Sequence, residues 1–201
     1  TSVNGTLFFS VVDDSNDREI WTSDGTAGGT DLLKNINTGT KDAEIQQVVE
    51  VGSKLFFVAN DGINGEAVWM ADPATGSVTL AADVTASPSD KISGLAKFGN
   101  GVIFVNDSLG VYVTDGITTT AITGSMPVEF NDNGDMFVES GSLAYFVRSD
   151  SLNGQEVWKT DGTPGGTSIV ADVYNGSTSS SPRDLVALNG KVYFSANIVT
   201  M

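Results

Sequence analysis

Short stretches in which apolar and polar residues alternate follow one another along the chain, separated by turn-forming residues. Between residues 44 and 83 there are four such stretches, at 44–51, 54–60, 66–72 and 77–83. Alternation with a period of two residues is typical of β-strands, and β-branched and aromatic residues are concentrated in the same stretches. The pattern therefore predicts four consecutive antiparallel strands and no helix.

The four-strand pattern recurs along the chain. An aromatic residue ends an apolar triplet at five positions, which are Phe9, Phe57, Phe104, Phe146 and Phe194. Twelve residues further on, the complete copies carry Trp21, Trp69 and Trp158, and an Asp follows each Trp after three residues. Because independent landmarks keep one register, the chain contains a repeat of about 42 to 48 residues.

Four antiparallel strands in about 40 to 50 residues are the dimensions of one blade of a β-propeller. Wrapping such units around an axis protects the strand edges, and the recurring aromatics would pack between neighbouring blades. The sequence therefore predicts an all-β fold, a β-propeller of four-stranded antiparallel blades in a single domain, 1–201. The blades are expected at 1–36, 44–84, 91–124, 135–173 and, as a partial copy, 184–201.

The partial fifth copy leaves the number of blades in the ring open. If four blades close the ring, Asp184–Leu188 would supply the first strand that blade one lacks. Alternatively, the ring has five or more blades and the chain is a fragment of a longer propeller. A start without Met and a stop within a blade favour the fragment.

Composition narrows the classes of function. The 201 residues are 40% hydrophobic and 17% charged, as in a folded globular protein. The net charge of −15 would repel a phosphate backbone and an anionic membrane surface. The absence of Cys and His excludes disulfides, thiolate and imidazole metal ligands, and a Ser-His-Asp triad.

Two segments of the sequence resemble the repeat of a known family. EIWTSDGT (19–26) and EVWKTDGT (156–163) resemble the ELWxxDGT repeat of large secreted bacterial proteins, and AVWMADPA (67–74) and GVYVTDGI (110–117) are degenerate copies. The resemblance implies an extracellular propeller-like module and names no reaction. We interpret the Asp-Gly-Thr (DGT) part of the motif as a tight turn, in which Asp accepts backbone N–H bonds and Gly takes a positive φ.

A second recurring pattern, D-x-x-N, begins eight residues before each of the three tryptophans. It supplies candidate metal ligands in three copies, which are Asp13, Asn16 and Asp17, Asp61 and Asn64, and Asp150 and Asn153. Carboxylate and amide oxygens are the ligands of Ca²⁺, so these loops are candidate calcium sites. An Asx-type turn is the alternative interpretation of the same residues.

The loops that join the blades differ most between copies, and propellers commonly bind partners with such loops. We therefore expect an extracellular or cell-surface module that binds or scaffolds an unknown protein or glycan. Tyr174 and Arg183 are the candidate ligand-binding residues of the last such loop. Nucleic-acid binding and membrane insertion are not expected, whereas self-association through the unfinished fifth blade is a further option.

Two alternatives remain. A propeller-type glycoside hydrolase would use paired carboxylates, but no spacing singles out a pair, so no catalytic residue is predicted. A purely structural spacer within a large adhesin is the second alternative.

Overall fold

The computed structural model describes residues 1–12, 17–39, 41–63, 65–84, 87–124, 128–129 and 135–198. Within these ranges the regular structure is β-strand, apart from one short 3₁₀ turn at Ala27–Gly29. The strands form five antiparallel sheets that follow one another along the chain. The predicted all-β propeller fold with four-stranded antiparallel blades is confirmed.

The first three sheets each contain four strands in sequence order, as propeller blades do. Blade one consists of β1 (Ser2–Val3), β2 (Thr6–Val12), β3 (Arg18–Ser23) and β4 (Thr30–Lys34). Blade two consists of β5 (Gln46–Val51), β6 (Lys54–Asn60), β7 (Glu66–Asp72) and β8 (Ser77–Ala82). Blade three consists of β9 (Ile92–Phe98), β10 (Gly101–Asn106), β11 (Gly110–Thr114) and β12 (Thr119–Ala121).

The fourth sheet has five strands because two short strands share one edge of a long one. Its strands are β13 (Val128–Glu129), β14 (Val138–Ser140), β15 (Leu143–Asp150), β16 (Gly154–Thr160) and β17 (Ser168–Ile169). Strand β14 pairs with the beginning of β15, and β13 pairs with a later part of β15. A last hairpin follows, formed by β18 (Arg183–Leu188) and β19 (Lys191–Ser195).

Blade one has a short first strand of its own. Ser2 and Val3 of β1 pair with Leu7 and Thr6 of β2. Strand β18, which contains Asp184–Leu188, pairs with β19 and thus begins a fifth blade. In the described chain it does not complete blade one.

Strand register explains the fixed twelve-residue spacing of the aromatics. In each complete copy the two aromatics lie directly opposite each other, in the pairs Phe9–Trp21, Phe57–Trp69 and Phe146–Trp158. Opposite residues of an antiparallel pair point to the same face of the sheet. In blade three, Phe104 pairs with Tyr112, and their rings stack with centroids 5.7 Å apart.

The core consists of apolar clusters that lie between neighbouring blades. Phe8 and Ile20 of blade one pack with Phe57 and Trp69 of blade two, and Phe56 packs toward blade three. Successive residues of β6 therefore face different neighbours, and the strand is buried from Leu55 to Ala59.

The tryptophans occupy these clusters as predicted, with one exception. Trp69 and Trp158 belong to clusters between two blades, and the ammonium of Lys34 in blade one lies 5.9 Å from the centre of the Trp69 ring. Trp21 lies on the face of blade one that points away from blade two. An aromatic ring can therefore serve as blade-to-blade packing only where a neighbouring blade covers it.

Replacing Phe57 by Ala should lower the free energy of unfolding by about 3–5 kcal/mol, because it leaves a cavity between blades one and two. Urea denaturation measures the change. The matched control is Ile117→Ala, at an exposed turn residue, which should change the free energy by no more than about 0.5 kcal/mol. Equal losses in both variants would contradict the assignment of Phe57 to the blade interface.

Candidate functional site

Antiparallel strands taken in sequence order sort the loops of each blade to two ends. One end carries the loop between the second and third strands and the connection to the next blade. We call it the connection end. The opposite end, here called the turn end, carries the first hairpin and the DGT-type turn between the third and fourth strands.

The two DGT turns at the turn end have the same hydrogen bonds. Asp24 Oδ1 accepts bonds from the Thr26 backbone N (2.9 Å) and from its Oγ1 (2.7 Å), and Gly25 has a φ of 92°. Asp161 Oδ1 accepts the corresponding bonds from Thr163 at 2.9 and 2.7 Å. Both carboxylates therefore hold the turn that starts the fourth strand.

These bonds lower the pKa of Asp24 and of Asp161 below the usual value of 3.8. The largest cause is the side-chain hydrogen bond from Thr26 or Thr163, followed by the backbone bond from the same residue. Because the folded pKa is lower than the unfolded one, the ionised carboxylate stabilises the fold above about pH 4. This contribution is lost as the pH falls through the folded pKa.

Three buried glutamates hold the connections between blades. Glu19 accepts bonds from the backbone N of Ile36 (2.7 Å) and of Asn37 (3.1 Å), in the connection that leaves blade one. Glu156 accepts bonds from Ser180 N (3.1 Å) and Ser180 Oγ (2.6 Å), in the connection that leaves blade four. Each carboxylate thus fixes a connection to the blade from which it departs.

Glu66 does the same for blade two from a shifted position. It precedes Trp69 by three residues, whereas Glu19 and Glu156 precede their Trp by two. Its carboxylate accepts bonds from the Ile92 backbone N (2.8 Å) and from Lys91 Nζ (2.8 Å). Glu66 therefore holds the end of the connection and the beginning of blade three, from a position one residue earlier than that of Glu19 and Glu156.

Blade three holds its connection without a glutamate. Gly110 stands two residues before Tyr112, where blades one and four carry Glu. A Cβ at this position would collide with the carbonyl oxygen of Gly124. The missing side chain therefore lets the connection lie directly on the strand, and Ile122 N donates to Val111 O at 2.9 Å.

Backbone bonds fasten the same connections to the next blade. Ala43 N donates to Arg18 O of blade one (3.0 Å), and Ala43 O accepts a bond from Asn60 N of blade two (2.7 Å). The two bonds recur around the last connection, as Ser180 N to Gln155 O (3.1 Å) and Asn197 N to Ser180 O (2.7 Å). One residue of the connection thus bridges two blades.

The candidate metal ligands lie at the connection end where the structure describes them. Asp150 Oδ1 accepts bonds from the backbone N of Leu152 and of Asn153, both at 2.7 Å, and the Asn153 side chain donates to both carboxylate oxygens. Asp61 accepts a bond from Ile63 N (2.9 Å). These two loops are thus organised as Asx-type turns.

Of the remaining predicted ligands, Asp17 alone lies within the described residues. Asp17 is buried at the beginning of the third strand of blade one. Asp13, Asn16 and Asn64 lie outside the described residues. Among the residues that are described, no group of three or more carboxylates converges in a way that could hold a metal ion. Calcium binding at these loops therefore stays a prediction.

The candidate ligand-binding residues lie on either side of the last connection. Tyr174 is half-buried and places its backbone N 3.5 Å from Glu156 Oε1. Arg183 is exposed at the beginning of β18. The buried Glu156 thus fixes the backbone around Tyr174, which sequence reasoning did not anticipate.

An open polar recess lies at the connection end between blades one and two. It has a volume of about 690 Å³ and combines the connection 37–44 with the β6–β7 loop of blade two. Its lining presents amides, charges of both signs and two apolar side chains, from Asn37, Lys41, Asp42, Glu44, Asn60, Ile63 and Pro88. Sequence reasoning found the two loops separately and missed that they face each other.

A smaller cavity of about 390 Å³ lies among the first strands of blades two, three and four. Gln47 bridges two of these strands, because its Nε2 donates to Ile92 O (2.7 Å) and its Oε1 accepts a bond from Leu95 N (2.9 Å). These two bonds tie β5 to β9.

In the described part of the chain, no helix is long and apolar enough to span a membrane.

Solved structures resemble this chain in fold. A puromycin hydrolase matches with a TM-score of 0.50 and 15% identity over 95% of this chain and 31% of its own. A prolyl endopeptidase (TM-score 0.49, 12% identity) is matched over 98% of this chain and 26% of its own length. An alpha-L-arabinofuranosidase from Clostridium thermocellum (TM-score 0.39, 14% identity) is matched over 96% and 79%.

The structural neighbours are β-propeller proteins, and at these identities the likeness shows the fold alone. The chain spans about a third of the puromycin hydrolase, 31% of its length. A scan against protein-family models and a search of curated proteins found no match.

Replacing Thr163 by Val should raise the pKa of Asp161 toward its usual value, because the hydroxyl bond that lowers it most is lost. An NMR titration of the side-chain carboxyl signals measures the shift. Asp24 in the other DGT turn is the control within the same molecule and should keep its pKa. An equal shift at both carboxyls would contradict the local origin of the effect.

Replacing Glu156 by Gln should lower the free energy of unfolding by about 1–3 kcal/mol, because the amide turns a donor toward the buried N–H and O–H groups of Ser180. Chemical denaturation gives the value. The control is Glu50→Gln, at an exposed position of β5, which should have little effect. If the two variants lose the same stability, the carboxylate does not hold the connection.

Proposed function

We propose that this chain is an extracellular or cell-surface binding module of the ELWxxDGT-repeat kind, which contacts a glycan or protein through the connection end of its blades. The observation that carries the proposal is the open recess between blades one and two. It is formed by loops that differ between copies, and such loops commonly carry binding in propellers.

The hydrogen bonds of the motif residues separate the residues that hold the blades from those that are available to a ligand. The DGT aspartates bond within their own turns, and the glutamates that precede the tryptophans bond to the connections. A repeated carboxylate that is engaged in this way contributes to the shape of a blade. Ligand contacts are therefore assigned to the residues that are not repeated.

The chemistry of the recess suits a neutral polar ligand with many hydroxyl groups. Lys41 and Glu44 offer exposed charges of opposite sign, and Asn60 adds a half-buried amide group. Ile63 adds an exposed apolar surface at the rim. Donors, acceptors and an apolar contact together favour a sugar over an extended apolar ligand.

The external location rests on the resemblance of EIWTSDGT and EVWKTDGT to a repeat of secreted proteins. The absence of Cys and the acidic composition are compatible with it. In this setting the rigid blades act as a scaffold, and the connection end presents the variable loops to a partner.

A glycan array should identify bound sugars, and substitutions in the recess should weaken that binding. We expect Lys41→Glu and Ile63→Ser each to reduce the affinity for the best array ligand at least about tenfold, or ~1.4 kcal/mol. The matched control is Ile117→Ser, at an exposed isoleucine of the turn end, which should bind as the wild type does.

Two results would contradict the proposal. Binding that is lost in the Ile117 variant and retained in the other two would place the site at the turn end. Absence of any array ligand would argue against the glycan, and a binding assay with purified cell-surface proteins would then test the protein partner with the same three variants.

A further inference from the structure

An open hollow lies at the turn end, between blades three and four. Its volume is about 330 Å³, within the range of sites that bind small ligands. Its lining combines an aromatic ring, two carboxylates, an amide and a hydroxyl group, from Phe98, Asp115, Asp161, Asn100 and Thr118. Among the described residues that line it, the two aspartates carry the charge, so the hollow is negative.

Side-chain size explains why the hollow forms at this interface. Between blades two and three, Met70 covers the turn glycine Gly116, since a Cβ on this glycine would lie 2.7 Å from Met70 Sδ. Val113 has the corresponding place in blade three, because it lies opposite Ile103 as Met70 lies opposite Phe56. Valine is shorter than methionine, so space remains beside the turn of blade four.

The aromatic wall of the hollow comes from the end of β9. Phe98 stands where blade two has Val51, since each ends a first strand and pairs across the first hairpin, with Gly101 and Lys54 respectively. A Cβ on Gly162 would lie 2.9 Å from Phe98 Cε1, so one edge of the ring lies against the turn of blade four. Phe98 is half-buried, and the rest of its ring is available to a ligand.

Each carboxylate of the hollow uses one oxygen for its own turn. Asp115 Oδ1 accepts bonds from the backbone N of Ile117 (2.8 Å) and of Thr118 (2.7 Å), and Asp161 Oδ1 is bonded to Thr163. The backbone bond from Thr118 and the side-chain bond from Thr163 are the largest causes that lower the two pKa values below 3.8. Both side chains are exposed and ionised at neutral pH, so their Oδ2 atoms can accept bonds from a ligand.

Neighbouring cations leave the hollow negative. Lys97, next to Phe98 in the chain, has its ammonium 3.7 Å from the carboxylate of Glu139. Lys54 of blade two contributes least among the causes that lower the pKa of Asp115. The hollow therefore suits a cationic group better than a neutral one.

We propose that this hollow binds an arginine side chain of a partner protein. A guanidinium group is planar, stacks on aromatic rings and donates several N–H bonds in fixed directions, so one group can meet Phe98 and a carboxylate together. The apolar stem of the arginine would lie along Val113.

The partner is a basic segment of a protein, and its contact goes beyond the proposed binding of a ligand at the connection end. The carboxylates, the amide of Asn100 and the hydroxyl of Thr118 are all exposed, so the hollow receives a projecting side chain and does not enclose a whole molecule. A net charge of −15 attracts a basic segment to this chain, and the hollow gives that attraction a fixed place.

An NMR titration of the ¹⁵N-labelled protein with the tripeptide Gly-Arg-Gly, blocked at both ends, tests the proposal. We expect the backbone signals of residues 98–101, 113–118 and 161–162 to shift as the peptide is added, and those of the recess at the connection end to stay in place. The same peptide with citrulline has the shape of arginine without its charge and should cause no shift. Added salt should weaken the binding of the arginine peptide, because it screens the attraction to the carboxylates.

Two variants and a matched control locate the binding. Asp161→Asn removes the charge but keeps an oxygen for the bonds of Thr163, and it should weaken binding about two- to fivefold. Phe98→Leu should weaken it by about the same factor and remove the preference for an arginine over a lysine peptide. The control is Asp24→Asn, which makes the same change in the DGT turn of blade one and should bind as the wild type does. Circular dichroism checks that the three variants are folded.

Four results would overturn the proposal. Equal weakening by Asp161→Asn and Asp24→Asn would show a general attraction to an acidic surface. Equal binding of the citrulline peptide would show that the guanidinium is not recognised. Shifts confined to other residues, or no shift at millimolar peptide, would remove the site from the hollow. Binding of free arginine without binding of the tripeptide would replace the partner protein by the amino acid.

Discussion

The structure depends on the burial of the blades against one another, on both faces wherever a blade lies between two neighbours. A sheet with a neighbour on each side needs apolar residues at successive positions of its central strands, and β6 is buried from Leu55 to Ala59 for this reason. The same requirement produces the apolar triplets that first reveal the repeat. Because the clusters lie between blades, no blade has a core of its own, and stability grows with each neighbour added.

Packing on both faces leaves the angle between blades to be fixed by polar groups. A buried carboxylate is tolerated only when hydrogen bonds replace its water. Glu19 and Glu156 obtain these bonds from a connection, and Glu66 obtains them from Lys91 and from the first residue of β9. The cost of burying the charge makes the position of the connection specific, since a shifted chain would leave the carboxylate unsatisfied. In blade three, Gly110 has no side chain, so the backbone of the outgoing connection lies directly against the strand.

Much of the fold could be predicted because its determinants are local. The twelve-residue spacing of Phe57 and Trp69 is a hairpin register, and the DGT turn closes within a few residues. The connection contacts could not be predicted, because Glu156 meets Ser180 across 24 residues of irregular chain. The recess joins Lys41 and Ile63 from different units, so no single stretch of sequence contains its chemistry. The strand β13 was not predicted, because two residues are too few to show an alternation of apolar and polar positions.

Identical residues in equivalent positions have different surroundings in this molecule, and this limits what a repeat can reveal. Leu7 and Leu55 occupy the same register position of the same motif, yet among the described residues Leu55 is covered by a neighbouring blade and Leu7 is 46% exposed. A motif therefore specifies how a blade folds and which surfaces it presents, while the arrangement of the blades decides whether a surface becomes core or remains available.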